Sequence, residues 1–386
     1  MNKKFFYFAA ASAIALSACT SEEVVDDAVK AGKAISFENV VNKHSRANGD
    51  VNDLTGNGLK QFQVFGFYTT PNNSGIAQSV FNNMTVTRQE NGTWTYTEKP
   101  HYWIPDAHYY FYAYSCGEVA KLGSEYGSFT LDTSGEMPAS NRVLEINNYI
   151  CDASHQHDLI FASNTGAVDG NEYYGIVGKE DGNLPVPFQF KHILSKVRAQ
   201  FTSSFHEDYD VTISNVSIEN IRNIGSYNPK TGWKNVVRKD DKFYRVFLLN
   251  TADNATNPIT TYNGGTPALT NSAFVLPYTY SGEDATETTA STWVYLKFDV
   301  TVTIKGAPDN VVFFKTLNGK FNPDWKPGYS YTYNVDVNGD ASNLKVIAFT
   351  VTSDAEGNEV SNWDTFKIVD AQNPDGRDPI ITPAKN

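Results

Sequence analysis

Apolar and polar residues alternate with a period of two over much of this chain, most regularly in its second half. Val294, Leu296, Phe298, Val300, Val302 and Ile304 are separated by single, mostly polar residues, which puts them on one face of a strand. After a Pro327-Gly328 turn, Tyr329, Tyr331, Tyr333, Val335 and Val337 alternate with Ser330, Thr332, Asn334 and Asp336. Val311–Leu317, Phe243–Leu249 and Ala273–Leu276 read as further strands, and Val346–Val351 as the last strand of the core. Between Ile213 and Val216 the apolar positions change phase, which predicts a bulge. In the first half, Phe62–Tyr68 and Tyr109–Tyr114 are apolar at almost every position, the pattern of strands covered on both faces. Asp158–Ala162 is a short apolar strand, and Ala34–Val41 places Ile35 and Phe37 together on one side. No long run has the 3.6-residue helical spacing. Residues 115–150 are mixed and leave room for a long loop or one short helix.

Thr85–Glu98 reads as a hairpin. A two-residue Asn91-Gly92 turn would place Val86 on the wrong face. A three-residue loop, Glu90-Asn91-Gly92, pairs Arg88 with Trp94 and Val86 with Tyr96, with Gly92 in the left-handed position of a bulge. Short strands with turn signals between them predict β-sandwiches. The prolines of Leu184-Pro185-Val186-Pro187 mark the expected joint, dividing the body into domains at 47–185 and 186–386. The Pro- and Asp-rich stretch from Asp370 to Asn386 is expected outside the core.

Lys3 and Lys4 precede an apolar run, Phe5–Leu16, of signal-peptide length, which ends in Leu16-Ser17-Ala18-Cys19. That is a lipobox: residues 1–18 are the expected signal peptide and Cys19 the acylated residue, carrying palmitate-type chains that each contribute about 0.8 kcal/mol per buried methylene. An acidic tether follows from Ser21 to Asp27. The formal net charge is −12 with no basic patch, which argues against nucleic-acid partners. Cys116 and Cys151 are compatible with a disulfide in an oxidising envelope, and equally with two separate buried thiols.

Catalytic signatures are missing: no G-x-S-x-G, H-E-x-x-H, P-loop or dinucleotide fingerprint occurs. His155-Gln156-His157-Asp158 puts two imidazoles at strand spacing, but no third ligand is evident by pattern, and a polar loop entering a strand is the expectation. Asp336–Asp340 resembles a calcium loop but lacks its glycine and closing glutamate. Neither a metal nor any other cofactor is expected. Trp94, Tyr96, Tyr102 and Trp103 would make a sugar-stacking platform if exposed, though hairpin packing suits them better. Arg46, in the polar stretch Lys43–Ala47, offers a cleavage site that would detach the Ile35/Phe37 strand and leave an apolar groove with unpaired backbone groups.

Taken in order, these pieces resemble the fimbrillin superfamily of the Bacteroidales, the FimA/Mfa-like pilins. The resemblance is carried by the lipobox at Cys19, Ile35 and Phe37 ahead of Ser45-Arg46-Ala47, and Trp94-Thr95-Tyr96. It continues through Tyr102-Trp103, Tyr109–Tyr114, Asp158–Ala162 and Phe190–Val197. Ile213–Tyr227, Phe274–Pro277 and Trp325–Tyr329 complete it. It implies an all-β chain of two tandem transthyretin-like sandwiches behind a signal peptide and lipid tether. It further implies a structural, non-enzymatic fimbrial subunit of the outer membrane and cell surface, serving adhesion or biofilm formation. Residues 19–46 would be a removable propeptide, cut between Arg46 and Ala47 by an arginine-specific protease. Subunits would join by strand exchange, Ile35 and Phe37 being displaced by a donor from the C-terminal region. Val346, Ile347, Phe349 and Val351 are one donor candidate and Phe366–Val369 another. The alternatives are an anchor subunit that keeps its lipid, and a standalone surface lipoprotein that binds glycans or host ligands.

Overall fold

The computed structural model describes residues 33–39, 59–71, 73–116, 122–131, 142–164, 167–168, 172–173, 175–203, 205–239, 244–249, 259–261, 265–279, 294–321, 323–340, 343–353, 370–371 and 381–383. Cys19, Arg46, Ala47 and Phe366–Val369 lie outside these residues.

The chain is all-β, with no α-helix among the described residues. In chain order the strands that frame the first half are β1 (Phe37–Asn39), β2 (Gln61–Thr70), β3 (Asn73–Arg88), β4 (His108–Ser115), β5 (Leu144–Ile150), β6 (Ile160–Asn164) and β7 (Val186–Phe188). The second half contributes β8 (Ser195–Ser203), β9 (Tyr209–Glu219), β10 (Ile224–Asn228), β11 (Val294–Ile304), β12 (Ala307–Phe321), β13 (Ser330–Asp340) and β14 (Asn343–Ser353). Shorter strands fill in the edges.

Strands β6, β4, β2 and β3 pair antiparallel in that order. This sheet is buried on both faces, as the unbroken apolar runs of β2 and β4 require. Phe62, Val64, Phe111 and Ala113 enter a first core, which is closed by the parallel pair β1–β7. Phe65, Phe67, Tyr110, Tyr112 and Tyr114 point the other way into a middle core. That core is covered by β5 and β10, which pair with each other and are flanked by Ser128–Leu131 and Gly232–Val237. Gly66 sits where β-carbon and ring would collide: a methyl there would lie 2.8 Å from the Phe111 ring.

The remaining strands form a sandwich around a C-terminal core. One sheet runs β8–β13–β14, with β8 and β13 parallel; the other runs β9–β11–β12. Their inward residues include Val197, Phe201, Ile213, Leu296, Phe298 and Val335, and Trp325, from the connection between β12 and β13, packs among them. The Trp325 indole donates to Tyr333 Oη at 2.7 Å inside this core.

Several details differ from the pattern. Residues 128–131 and 144–150 are paired strands where a loop or helix had room. The period-two signal of β5 is hidden because Asn148 takes a positive φ of 51° and Tyr149 and Ile150 are then both buried. The strand expected over Val311–Leu317 is longer: Gly319 pairs with Leu296 inside the ladder and β12 runs on to Phe321. Ile304 is exposed although in phase with its neighbours, because it sits beside the Lys305-Gly306 turn beyond the end of the core. The bulge in β9 falls between Ser214 and Ser217. The hairpin loop spans residues 90–92, with Arg88 opposite Trp94, Gln89 N–H donating to Thr93 at 2.7 Å, and Gly92 at φ 83°. Cys116 and Cys151 are both free and buried. In the tail, Asp370-Ala371 pairs with β14 and Ile381–Pro383 with β12.

Candidate functional site

The site is built around β1, which like its partner β7 is only three residues long. Residues 33–39 lie in a slot between two segments of the body. On one side Ile35 N–H donates to His101 O at 2.7 Å, and Ala34 bridges to Tyr102. On the other, Val186 N–H donates to Ser36 O at 2.7 Å, and Phe37, Glu38 and Asn39 run parallel to Val186, Pro187 and Phe188. Pro187 fits this ladder because Val186 already supplies the N–H that faces the segment, and the position after it in a parallel pair points its N–H away. Tyr96 adds one more bond, its hydroxyl donating to Ile35 O at 2.9 Å. Burial raises the Tyr96 pKa, which keeps the phenol protonated and donating. Gly182 closes against the start of the segment; a β-carbon there would fall 2.2 Å from that of Lys33, and its φ of +77° also favours glycine.

The floor of the slot is aromatic. The Phe37 ring is 5.4 Å from Phe81, 5.6 Å from Phe188, 5.8 Å from Phe111, 6.2 Å from Tyr96 and 6.4 Å from Phe62. Ile35 and Phe37 are both fully buried, while Lys33 and Glu38 face solvent. Burying one such side chain is worth about 1.5–3 kcal/mol. With β7, this segment supplies the paired strands that close the first core. Chemically, the slot is a receptor for an extended peptide: backbone groups on both sides, and pockets for alternate apolar side chains.

Among the sequence-derived residues, Ile35 and Phe37 come together here, with Tyr96 and Trp103 as walls. Trp94 packs on Phe62 at 4.8 Å, and Trp103 is buried against Tyr109 at 4.7 Å. Of the aromatic set suggested for sugar stacking, Tyr102 alone is exposed. Val346, Ile347, Phe349 and Val351 lie elsewhere, on β14, where Val346, Phe349 and Val351 pair with Val337, Val335 and Tyr333. The slot residues that the sequence reading passed over are Val186 and Phe188. Their alternation was visible, but the two prolines around Val186 suggested a joint.

The other candidate chemistry resolves into packing. His155 is buried and stacks on Tyr126 at 3.9 Å. Burial, helped by the neighbouring His157, lowers its pKa to about 4. Asp158 instead faces His192, with Oδ2 2.5 Å from Nδ1, and both side chains are buried. Among the described residues no group of three or more His, Cys, Asp or Glu is placed to hold a metal ion. Asp336–Asp340 is part of strand β13 rather than a loop.

A fimbrillin-like family profile matches residues 45–353, most of the chain. The chain belongs to the fimbrillin-like family. That membership places it among structural proteins rather than enzymes. A crystal structure of a fimbrial protein from Bacteroides vulgatus shares the fold, with a TM-score of 0.56 at 13% identity, covering 82% of this chain and 98% of that one. The fimbrial anchor protein Mfa2 from Porphyromonas gingivalis matches at 10% identity over 76% of this chain and 88% of that one; its TM-score of 0.29 carries no further argument. No curated protein matches the chain.

Proposed function

We propose that this fimbrillin-like protein is a building block of a surface fimbrium, exported as a lipoprotein and joined to its neighbours by strand exchange through the slot. The single observation that carries the reading is the slot itself. A separable N-terminal segment fills an aromatic groove, bonded on both sides to the body, and the chain connects onward through the stretch that holds Arg46 and Ala47. Cleavage at that bond would leave Ile35 and Phe37 held only by non-covalent contacts. Their departure would expose the rings of Phe62, Phe81, Phe111 and Phe188 together with unpaired backbone groups at 101 and 186. Exposed apolar surface next to an open strand edge is unstable alone and is satisfied by another chain's strand.

In this account Cys19 carries the lipid to the outer membrane, an arginine-specific protease trims at Arg46, and the donor comes from the C-terminal region. If β14 is that donor, it must first leave β13, with which Val346, Phe349 and Val351 pair and beside which Ile347 falls at a register shift. The slot asks for apolar residues two apart, which Ile347, Phe349 and Val351 supply. The first core would then hold the accepting slot and the C-terminal sandwich the donating strand of each subunit. The test is to trim the purified full chain at Arg46 and examine it after mild denaturation. A ladder of polymers at subunit intervals is expected; trimmed protein that stays strictly monomeric would refute strand exchange.

A further inference from the structure

The residues that enter the slot have a counterpart near the other end of the chain. Lys33-Ala34-Ile35-Ser36-Phe37 matches Lys345-Val346-Ile347-Ala348-Phe349 at the lysine, the isoleucine and the phenylalanine, and this K-x-I-x-F spacing occurs nowhere else in the sequence. In both copies the residue between isoleucine and phenylalanine is small. The first copy fills the slot, and the second belongs to β14.

The slot makes the order of these residues matter. Phe37 sits among five aromatic rings, the most distant centred 6.4 Å away. Ile35 sits where the backbone is gripped: its N–H donates to His101 O, and its carbonyl accepts from the Tyr96 hydroxyl. The two places differ, and parallel pairing with β7 fixes which comes first along the chain. Ser36 between them is half-buried, and Lys33 is exposed. A strand entering in the same direction must therefore present an aliphatic residue, then a small one, then an aromatic one. Ile347-Ala348-Phe349 does so. Phe366-Lys367-Ile368 does not, because its ring falls in the isoleucine place and its lysine in the half-buried one. β14 also lies close to the edge of its sheet. Among the described residues its side away from β13 pairs with Asp370-Ala371 alone, and its ladder to β13 shifts register at Ile347.

We infer that β14 of one copy enters the slot of the next in the direction and register of the segment it replaces, with Lys345, Ile347 and Phe349 in the places of Lys33, Ile35 and Phe37. This rests on the strand-exchange reading and deepens it: residues 33–39 are an internal imitation of the donor. In this register Thr350 lies opposite Pro187 of the accepting copy, as Glu38 does in the chain's own slot.

Cysteine cross-linking reads the register in the full chain after trimming at Arg46, a cut that also removes Cys19. Cys116 and Cys151 are buried and stay out of the reaction. Pro187→Cys is combined in turn with Ala348→Cys, Thr350→Cys, Thr352→Cys and Val369→Cys, and polymer forms before mild oxidation. Residues directly opposite in a strand pair lie within disulfide reach. Glu38 and Pro187 are opposite and both exposed, so an untrimmed chain with Glu38→Cys and Pro187→Cys should close an internal disulfide, which calibrates the position. Thr350→Cys should give a covalent ladder and the other three should not. Polymer that forms without the Thr350 cross-link, whichever other position links, would overturn this inference and leave strand exchange standing.

A second measurement needs no cysteine. A labelled peptide of residues 33–39 is bound to the slot of trimmed protein emptied by mild denaturation, and peptides of residues 344–352 compete with it. The natural sequence should displace it. A peptide of identical composition carrying Ile347→Phe with Phe349→Ile should compete about tenfold more weakly or worse, because each side chain then meets a place of the wrong shape. Equal competition would overturn the inference. Failure of the 33–39 peptide itself to bind, with no polymer from unsubstituted trimmed protein, would sink the strand-exchange reading instead.

Discussion

Replacing Phe37 by alanine separates a docked, removable strand from an integral part of the core. The ring is buried and within 6.4 Å of five other aromatic rings. Deleting a buried Phe side chain costs about 3–5 kcal/mol, the transfer loss plus the cavity left behind. If residues 33–39 dock as a unit, this cost falls on the equilibrium between seated and unseated strand rather than on the unfolding of the whole. At about 1.4 kcal/mol per factor of ten, the lower end of the range raises the unseated population roughly a hundredfold. Native-state hydrogen exchange read by mass spectrometry resolves this. Peptides that hold Ile35 N–H and Val186 N–H, both of which donate across the slot, should exchange roughly a hundredfold faster. Peptides from β2, β4 and the C-terminal core should be unchanged. Acceleration spread evenly over β2 and β4, in step with a drop in global stability, would show that the strand does not open independently and would refute the reasoning.

Three further outcomes are expected. Burial pushes the Cys116 thiol up to about 12, reinforced by Asp158, and Cys151 in the same direction, reinforced by Asp152 and Asp158; neither should react with a thiol reagent at pH 8 until denaturant is added, and stoichiometric labelling mapped to either residue in the folded protein would contradict the packing. His155 is held neutral when folded, with its pKa lowered to about 4, so the unfolded chain takes up the proton first and stability should fall as pH drops from about 6.5 toward 4; His155→Phe, which can keep the stacking on Tyr126, should flatten that limb of a stability-against-pH curve. Trp325→Phe removes the buried hydrogen bond to Tyr333 and should cost about 1–3 kcal/mol in a denaturant titration, with the 33–39 exchange rates unaffected.

The legible parts of the fold were those where local pattern and tertiary burial agree. In β11 the residues from Val294 to Val302 that alternate in the sequence are the ones buried in the core, and the three-residue hairpin loop followed from asking which register keeps Val86 inside. The strand at Ile35 and Phe37 was legible for the same reason, since two apolar residues two apart need a groove. What was not legible depends on partners distant in sequence. The pairing of β5 with β10 joins residues 144–150 to 224–228, and no local feature of either announces the other. Val186 and Phe188 were masked by Pro187, whose missing N–H normally excludes a strand but is tolerated in a short parallel pair at an edge. The exposure of Phe314 is invisible in sequence because it depends on where the C-terminal sheet stops being covered. The candidate donor residues on β14 have the right spacing for the slot, yet spacing alone does not say which sheet they occupy.

The N-termini of subunits recovered from polymer at the cell surface, sequenced by mass spectrometry, test the central claim most directly. The account predicts that every joined subunit accepting a strand begins at Ala47 and has lost residues 33–39. Subunits that begin at Cys19, keep Ile35 and Phe37 in place and are nonetheless linked end to end would contradict it.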